Sequence, residues 1–475
     1  MFIMFPFFAH VFRPRDYGAI DIVGLLGILI NLTIALEISQ GLGRYLHESQ
    51  TSAERSVDTS TALLFTLACF TTFAVVTLPF SVYLSHSLFE SVISPGLMRI
   101  TIASWWVSGI LYLMQDQLRW RLRSGAFAAV SFVVTLVATG TSAVLVLGFR
   151  VGVAGAIVGQ LAGAVCGVIF TTLLSKGIYT LRFDWSRCRT MLRYSVPLIP
   201  SSVGIFLNSY ADRLALQHEA SLAQVGVYGI ASRLAVIAGL ALVGFQGAVM
   251  PLVLSQHEDP ATRINLAHLF RIFCAVALGA ILLLSAVAAP AVRLLAAPEY
   301  SGAAAIAPVV VVATLLGGMS IFAPGLIVAK RTGLIALIAA SSGVLNAALA
   351  FAAVPFLGIQ GAAIAALVSS TWYFGALMYF SQRVYHVPHR WWRIAAAAGL
   401  VATFVVIGQT TVSSGRASAF AASGLIIHGA LLCTGTLALI WLLIDRNERA
   451  ITQRFIGSRV GVARTRVSLF ARAHR

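Results

Sequence analysis

About thirteen apolar stretches of membrane-spanning length run through this chain, and the sequence around them repeats. The segment Gly-Val-Ala-Gly-Ala-Ile-Val, which begins at Gly152, returns about two hundred residues later as Gly-Ile-Gln-Gly-Ala-Ala-Ile, which begins at Gly358. Two shorter matches keep the same order and nearly the same offset: Tyr17-Gly18 with Tyr228-Gly229, and Arg123-Ser124-Gly125 with Arg331-Thr332-Gly333. Together they indicate that one set of about six helices was duplicated, as in many secondary transporters.

The composition explains why these stretches belong in lipid. Hydrophobic residues make up 59% of the chain and charged residues only 10%, with a mean hydropathy of +0.90. So few charges cannot cover a soluble surface of this size. The net charge of +17 does not indicate a nucleic-acid partner, because the basic residues lie between apolar runs and in the tail after Ile444 rather than on one soluble face. Membrane lipids are therefore expected partners, and nucleic acid is not.

Each predicted span has about 20 or more mainly apolar residues. The predicted spans are Ala19–Gly41, Thr61–Leu84, Met98–Met114, Ala126–Phe149, Val151–Leu174, Val196–Gln217, Val225–Leu254, Leu266–Pro290, Ala303–Ala329, Gly333–Pro355, Ile359–Phe380, Ile394–Val412 and Ala419–Leu443. Residues 1–12 are apolar but have only about half the length needed to cross, so they are interpreted as the second half of a truncated first helix. The expected fold is an all-α polytopic membrane protein with two parallel-repeat six-helix lobes around a central cavity, plus an extra C-terminal helix pair.

Lysine and arginine concentrate in alternate loops, by roughly four to one, and this asymmetry predicts the orientation because cytoplasmic loops retain positive charge. The residues on the basic side are Arg44, Arg55, Arg119, Arg121, Arg123, Lys176, Arg182, Arg187, Arg189, Arg193, Arg263, Lys330, Arg331, Arg383, Arg390, Arg393 and the tail from Arg446 to Arg475. That side is predicted to be cytoplasmic, together with both chain ends. The expected domains are an N-terminal lobe (1–175), a cytoplasmic linker (176–194), a C-terminal lobe (195–386), the extra helix pair (387–444) and a basic tail (445–475).

Several kinds of chemistry have no sequence support. The five cysteines lie in separate segments without CxxC or zinc spacing, which predicts neither a disulfide framework nor a metal site. The chain has no phosphate-binding Gly-x-x-x-x-Gly-Lys-Ser/Thr run, no His-Glu-x-x-His and no Gly-x-Ser-x-Gly. We therefore expect no cofactor and no ATP hydrolysis within this chain.

Polar residues at membrane depth are the best functional indicators, because burying them in hydrocarbon is costly. Ser201, Asn208 and Asp212 are spaced by seven and four residues, which places them on one face of a helix. That face is expected to line a cavity and bind substrate. Asp21 and Glu37 are candidate ion-coupling residues; within one helix they would lie on nearly opposite faces, about sixteen positions apart.

Three arginines complete the candidate set. Arg213 follows Asp212, Arg233 lies about two turns into the next helix, and Arg44 lies at the cytoplasmic end of its helix. Structural alternatives stay open for each: an ion pair for Asp212 and Arg213, a salt bridge between helices for Arg233, and a topology signal for Arg44. For Asp21 and Glu37 the alternative is a neutral, hydrogen-bonded packing role.

Five segments resemble the polysaccharide-exporter branch of the multidrug/oligosaccharidyl-lipid/polysaccharide exporter superfamily. They are Arg15-Asp16-Tyr17-Gly18, Gly41-Leu42-Gly43-Arg44-Tyr45-Leu46, Tyr194-Ser195-Val196-Pro197-Leu198-Ile199-Pro200-Ser201-Ser202, Ser209-Tyr210-Ala211-Asp212-Arg213 and Val225-Gly226-Val227-Tyr228-Gly229-Ile230-Ala231-Ser232-Arg233-Leu234. The resemblance extends over essentially the whole chain. By position, it implies that Asp212, Arg213 and Arg233 line the substrate path.

The resemblance implies a flippase that moves an undecaprenyl-diphosphate-linked oligosaccharide across the bacterial inner membrane, with polysaccharide polymerase and glycosyltransferases as possible partners. One alternative is a drug/cation antiporter of the same superfamily, which would depend on acidic residues such as Asp21 and Glu37. Another is a lipid-linked peptidoglycan-precursor flippase. A membrane-embedded polysaccharide polymerase or ligase, hence an enzyme, is disfavoured because such enzymes typically carry one large outer loop and the outer loops here are short.

Overall fold

A computed structural model describes residues 5–46, 48, 51–175, 177–180, 182–256, 259–413, 432–439 and 442–443. Within these residues the regular structure is helical and there is no strand. Ten of the described helices are long and apolar enough to cross a membrane. These observations confirm an all-α polytopic membrane protein. Most of the predicted last span, Ala419–Leu443, and the whole basic tail lie outside the described residues.

Most helices follow the predicted spans, but Thr61–Leu84 and Ala303–Ala329 are each divided between two helices. The helices are α1 (Phe5–Val11), α2 (Pro14–Thr33), α3 (Ile38–Tyr45), α4 (Ser52–Thr77), α5 (Ser81–Phe89), α6 (Pro95–Trp120), α7 (Ser124–Ala143), α8 (Val153–Leu174), α9 (Trp185–Ser195), α10 (Ile199–Glu219), α11 (Leu222–Gln256), α12 (Pro260–Leu295), α13 (Ala303–Gly318), α14 (Gly325–Val328), α15 (Thr332–Leu357), α16 (Ile359–Val384) and α17 (Trp391–Ser413). Most extend past the predicted bounds by a few residues, because polar residues at helix ends do not count as apolar sequence.

The repeated motifs mark equivalent backbone features. Gly152 and Gly358 have φ values of 65° and 54° directly before α8 and α16, a region that favours glycine. Arg123 and Arg331 precede α7 and α15 with nearly the same backbone angles, φ −87° and ψ 59° against φ −88° and ψ 54°. The sequence repeat therefore corresponds to a repeated turn and helix start.

The chain divides into two compact units. The first comprises residues 1–237, 291–317 and 330–377, and the second comprises residues 238–290, 318–329 and 378–475. The first unit contains the close pairs α7–α8 and α10–α15 as well as all the residues discussed below. In the second, Phe270 packs against Phe322 and His389, with ring centroids 5.1 and 4.6 Å apart. The lobe boundaries at 175 and 195 stay a prediction.

The predicted span Ala19–Gly41 is wrong as a single helix. The helix α2 ends at Thr33 and α3 begins at Ile38, and Leu36 and Glu37 between them have φ values of 51° and 52°. The Ser195 hydroxyl donates a 2.8 Å hydrogen bond to the Leu36 carbonyl, at the point where the regular helical structure of α2 has ended. Asp21 and Glu37 consequently belong to different environments, and the argument about opposite faces of one helix does not hold.

Candidate functional site

The start of α2 and the start of α11 approach each other backbone to backbone. A Cβ atom added to Gly18 would lie 1.9 Å from the carbonyl oxygen of Leu222, and one added to Gly226 would lie 2.0 Å from that of Pro14. Only glycine permits this approach, as in other membrane helix pairs where small residues bring backbones together. The crossing brings the polar side chains of α2, α10 and α11 into contact.

Asp21 on α2 meets two arginines from the neighbouring helices. Its carboxylate lies 3.1 Å from Nη1 of Arg213 on α10 and 3.7 Å from Nη2 of Arg233 on α11. The side chains are 7%, 15% and 27% exposed, respectively. Arg233 is therefore the more accessible of the two cations.

Asp212 is satisfied by different partners. Tyr228 of α11 donates its hydroxyl hydrogen to Oδ2, and the backbone N–H of Arg213 donates to Oδ1 at 2.9 Å. The Arg213 guanidinium also lies over the rings of Tyr210 and Tyr228, at 5.6 and 5.9 Å from their centroids. We call Asp21, Asp212, Arg213, Tyr228 and Arg233 the arginine cluster.

The arginine cluster contains as many carboxylates as guanidinium groups. Balanced charge offsets the cost of burial, because unpaired ions in hydrocarbon are costly. The hydrogen bonds within the cluster go to Asp212, whereas Asp21 Oδ2 and Arg213 Nε have no hydrogen-bond partner among the described residues. The Asp21 carboxylate contacts both arginines through ion pairs alone. An incoming anion could therefore replace it as their partner. Phosphate oxygens suit this exchange, because guanidinium groups bind them through paired hydrogen bonds.

Residues 7–305 match a family model described as "Polysaccharide biosynthesis protein". The chain belongs to this family. No curated protein sequence matches the chain significantly. The family match confirms the resemblance that the sequence motifs indicated.

The fold of this polysaccharide biosynthesis protein is similar to that of solved flippase and multidrug-transporter structures. The lipid II flippase MurJ in an inward closed conformation is 14% identical, covers 96% of this chain and 97% of its own, and has a TM-score of 0.67. An inward-facing multidrug resistance MATE family transporter of the MOP superfamily is 14% identical, with 82% and 93% coverage and a TM-score of 0.66. The MATE transporter VcmN of Vibrio cholerae is 16% identical, with 78% and 94% coverage and a TM-score of 0.52. At these identities the similarity shows the fold alone.

Two other predicted site residues, Asn208 and Ser201, lie on α10 but do not belong to the arginine cluster. The Ser342 hydroxyl of α15 donates to Asn208 Oδ1 at 2.5 Å, and the Asn346 side chain donates to the carbonyl of Asn208 at 3.1 Å. Asn208 and Asp212 thus both make contacts between helices, and their role in substrate binding stays a prediction. Ser201 is half-buried on α10, about three turns before Asp212.

Arg44 lies apart from the arginine cluster, at the other end of the α2–α3 segment. Its Nη1 is 2.6 Å from Oε1 of Glu48, and both side chains are about half exposed. An exposed pair of this kind contributes little to stability. The structure therefore does not bring Arg44 together with Arg213 and Arg233, and a substrate contact at Arg44 stays a prediction.

Glu37 belongs to a second polar group, at the break between α2 and α3. It is 5% exposed, Ser202 is close enough to influence its carboxyl group, and its Oε2 has no hydrogen-bond partner in the part of the chain described. Nearby, Asp116 accepts a 2.6 Å hydrogen bond from Ser39 and lies 3.0 Å from Arg119. We call Glu37, Ser39, Asp116, Arg119 and Ser202 the Glu37 cluster.

Sequence reasoning missed Asp116 and Tyr228 as members of these clusters. Asp116 lies just beyond the predicted span Met98–Met114, whereas α6 continues to Trp120. Asp116 is nearly buried, and an acidic residue so close to the end of a span could have been tested as a membrane residue. Tyr228 lies inside a quoted motif, but a tyrosine between apolar residues gives no sign that it bonds to Asp212.

Proposed function

We propose that this protein is a flippase that moves an undecaprenyl-diphosphate-linked oligosaccharide from the cytoplasmic to the outer leaflet of the bacterial inner membrane. The observation that carries the proposal is a buried arginine cluster inside a member of a polysaccharide biosynthesis family. A diphosphate and its sugars cannot cross hydrocarbon without cations and hydrogen-bonding groups, whereas a polyprenyl tail can stay in lipid. Transport would proceed by alternating access, with both chain ends in the cytoplasm.

In this proposal Arg233 is the first contact for the diphosphate, because it is the more exposed cation and the more distant from Asp21. Arg213 would follow, since its guanidinium is already aligned by Asp21 and by the rings of Tyr210 and Tyr228. Ser201, Asn208, Asp212 and Arg44 are proposed as further groups along the path. Polymerases and glycosyltransferases are proposed partners, because such a flippase needs enzymes that make and consume its substrate.

The test is to replace Arg233 by Ala in cells and measure surface polysaccharide. We expect a loss of at least about tenfold, because charge-assisted hydrogen bonds to a buried anion contribute roughly 1.5–3 kcal/mol. Arg233→Lys should restore part of the activity, since it keeps the charge without the fork of donors. Arg331→Ala is the matched control, because Arg331 is exposed before α15.

Protein level in the membrane and the lipid-linked intermediate must be measured in the same cells. A flippase defect leaves the protein level unchanged and accumulates undecaprenyl-linked oligosaccharide in the cytoplasmic leaflet. If Arg233→Ala instead removes the protein from the membrane, Arg233 is a structural residue. If surface polysaccharide is unchanged at a normal protein level, the proposed path is wrong.

A second candidate function is drug/cation antiport, and Glu37 favours it. Glu37 has a buried carboxylate oxygen without a hydrogen-bond donor among the described residues, and such an oxygen can bind a cation during transport. A strain in which the gene for this protein is deleted distinguishes the two functions. A flippase strain accumulates the glycolipid and keeps its tolerance of cationic dyes, whereas an antiporter strain becomes sensitive to dyes with unaltered glycolipid.

A further inference from the structure

The helix α9 lies between α8 and α10 in the chain. It has 11 residues, so it is about 16 Å long and too short to cross. Asp184 caps its first turn by accepting the Arg187 backbone N–H at 3.1 Å. A helix of this length between two predicted spans is expected at the membrane surface, at the end of the bundle that the charge pattern predicts to be cytoplasmic.

One face of α9 is fixed to the protein. Cys188, Met191 and Ser195 are buried there, and a Cβ atom added to Gly41 of α3 would lie 2.5 Å from the Met191 carbonyl oxygen. Arg187 lies 2.7 Å from Asp58 of α4, and this hydrogen bond raises the pKa of its guanidinium. The contacts hold α9 in one orientation, so its other face always points away from α3 and α4.

Basic and aromatic side chains are exposed on α9 and on the two residues before Asp184. Arg182, Arg189 and Arg193 are exposed, and none of them has a carboxylate partner within the described ranges. Phe183 and Trp185 stand beside them, 48% and 62% exposed, with ring centroids 6.2 Å apart. Arg189 and Arg193 are four residues apart, so they lie together on α9. We call the set of Arg182, Phe183, Trp185, Arg189 and Arg193 the basic face.

We propose that the basic face is a docking surface for anionic phospholipid headgroups of the adjacent leaflet. Its guanidinium groups match phosphate in charge and geometry, and aromatic rings are enriched at the depth where headgroups meet acyl chains. Arg187 supports the assignment by contrast. It is the fourth arginine of the segment, and it is already paired with Asp58 and Asp184. The exposed arginines are the three without a carboxylate partner among the described residues.

Lipid binding at this face has a structural consequence on the opposite side of α9. Ser195, which ends the helix, donates to the Leu36 carbonyl at the break between α2 and α3. A leaflet that holds α9 in the membrane plane therefore also fixes the position of this break. The proposal does not depend on the transported substrate.

The experiment measures bound phosphatidylglycerol by native mass spectrometry on the full-length protein, in nanodiscs of phosphatidylcholine with and without phosphatidylglycerol. The double variant R189Q/R193Q should bind phosphatidylglycerol about thirtyfold more weakly, because each arginine near an anionic surface contributes about a factor of five. R189K/R193K should retain most of the binding. The matched control R13Q/R150Q removes two exposed arginines from other loops and should leave binding unchanged.

The proposal is overturned if R189Q/R193Q binds phosphatidylglycerol like the wild type, or if R13Q/R150Q loses as much. Weaker binding of added undecaprenyl diphosphate, with phosphatidylglycerol unaffected, would assign the face to that headgroup and also overturn it. Thermal unfolding of each variant is measured in parallel. A lower melting temperature of R189Q/R193Q would require the same titration with the single variant Arg193→Gln, which must itself lose about fivefold for the proposal to stand.

Discussion

The arginine cluster and the Glu37 cluster each contain one acidic residue of the α2–α3 segment, Asp21 and Glu37, but these two carboxylates have different partners. In the arginine cluster, Asp21 faces two guanidinium groups and Asp212 accepts two hydrogen bonds. In the Glu37 cluster, Asp116 takes the arginine and the Ser39 hydroxyl, while one oxygen of Glu37 has no donor within the described residues. The first cluster is matched in charge and the second has a surplus carboxylate.

This difference separates two residues that the sequence treats alike. Asp21 and Glu37 are both candidate ion-coupling residues, yet Asp21 is bound to the arginines proposed for the diphosphate. A proton or other cation arriving at Asp21 would compete with Arg213 and Arg233, whereas at Glu37 the unpartnered oxygen meets no such competitor. The comparison favours Glu37 for coupling and Asp21 for control of the arginines. Both roles stay predictions.

The largest expected effect comes from removing the Asp21 carboxylate from the arginine cluster. Asp21→Ala leaves two arginines without their carboxylate, and breaking a buried pair from one side costs about 3–5 kcal/mol. Thermal unfolding of the purified protein measures the loss. The double variant D21A/R213L should recover much of it, because it removes a charge of each sign.

The control for Asp21→Ala is Asp16→Ala, in the first turn of the same helix, where no ion pair with a basic residue is found among the described residues. Its cost should stay within about 1 kcal/mol, the contribution of a carboxylate near a helix start. If the Asp21→Ala variant unfolds at the wild-type temperature, the ion pairs of Asp21 do not stabilise the arginine cluster, and the proposed difference from the Glu37 cluster is wrong.

A smaller effect is expected where the backbones cross beside the arginine cluster. Gly18→Ala places a methyl group against the Leu222 carbonyl, which must move away, at a cost of about 1–3 kcal/mol. Gly24→Ala, on the same helix, meets nothing within 4 Å and should instead gain about 0.5–1 kcal/mol. The two melting temperatures should therefore shift in opposite directions. Equal shifts would mean that the close approach does not hold α2 against α11.

The smallest effect is expected at the surplus carboxylate. Glu37→Gln keeps the size of the side chain and removes no ion pair seen in the described structure, so the free energy of unfolding should change by less than about 1 kcal/mol. Asp116→Asn is the comparison variant and should cost about 1.5–3 kcal/mol, because it weakens the contacts to Ser39 and Arg119. A larger loss at Glu37 than at Asp116 would reverse the assignment of the surplus charge.

The sequence by itself determined the membrane class, the helical fold and the duplication. Apolar length and charge count are local properties, and they predict spans wherever lipid is the solvent. The repeated glycine and arginine motifs also appear at the expected helix starts, and for Gly152 and Gly358 the reason is local, since a turn with positive φ favours glycine. Motif order was enough to indicate the family that the comparison confirmed.

Only the tertiary structure decided which polar residues belong together. The break at residues 34–37 contains neither proline nor glycine, and it depends on Ser195, 159 positions away, to satisfy the Leu36 carbonyl. Asp21 gained its arginines because Gly18 and Gly226 let two distant helices touch. Contacts of this kind depend on which helices pack side by side, and hydrophobic periodicity contains no information about that choice.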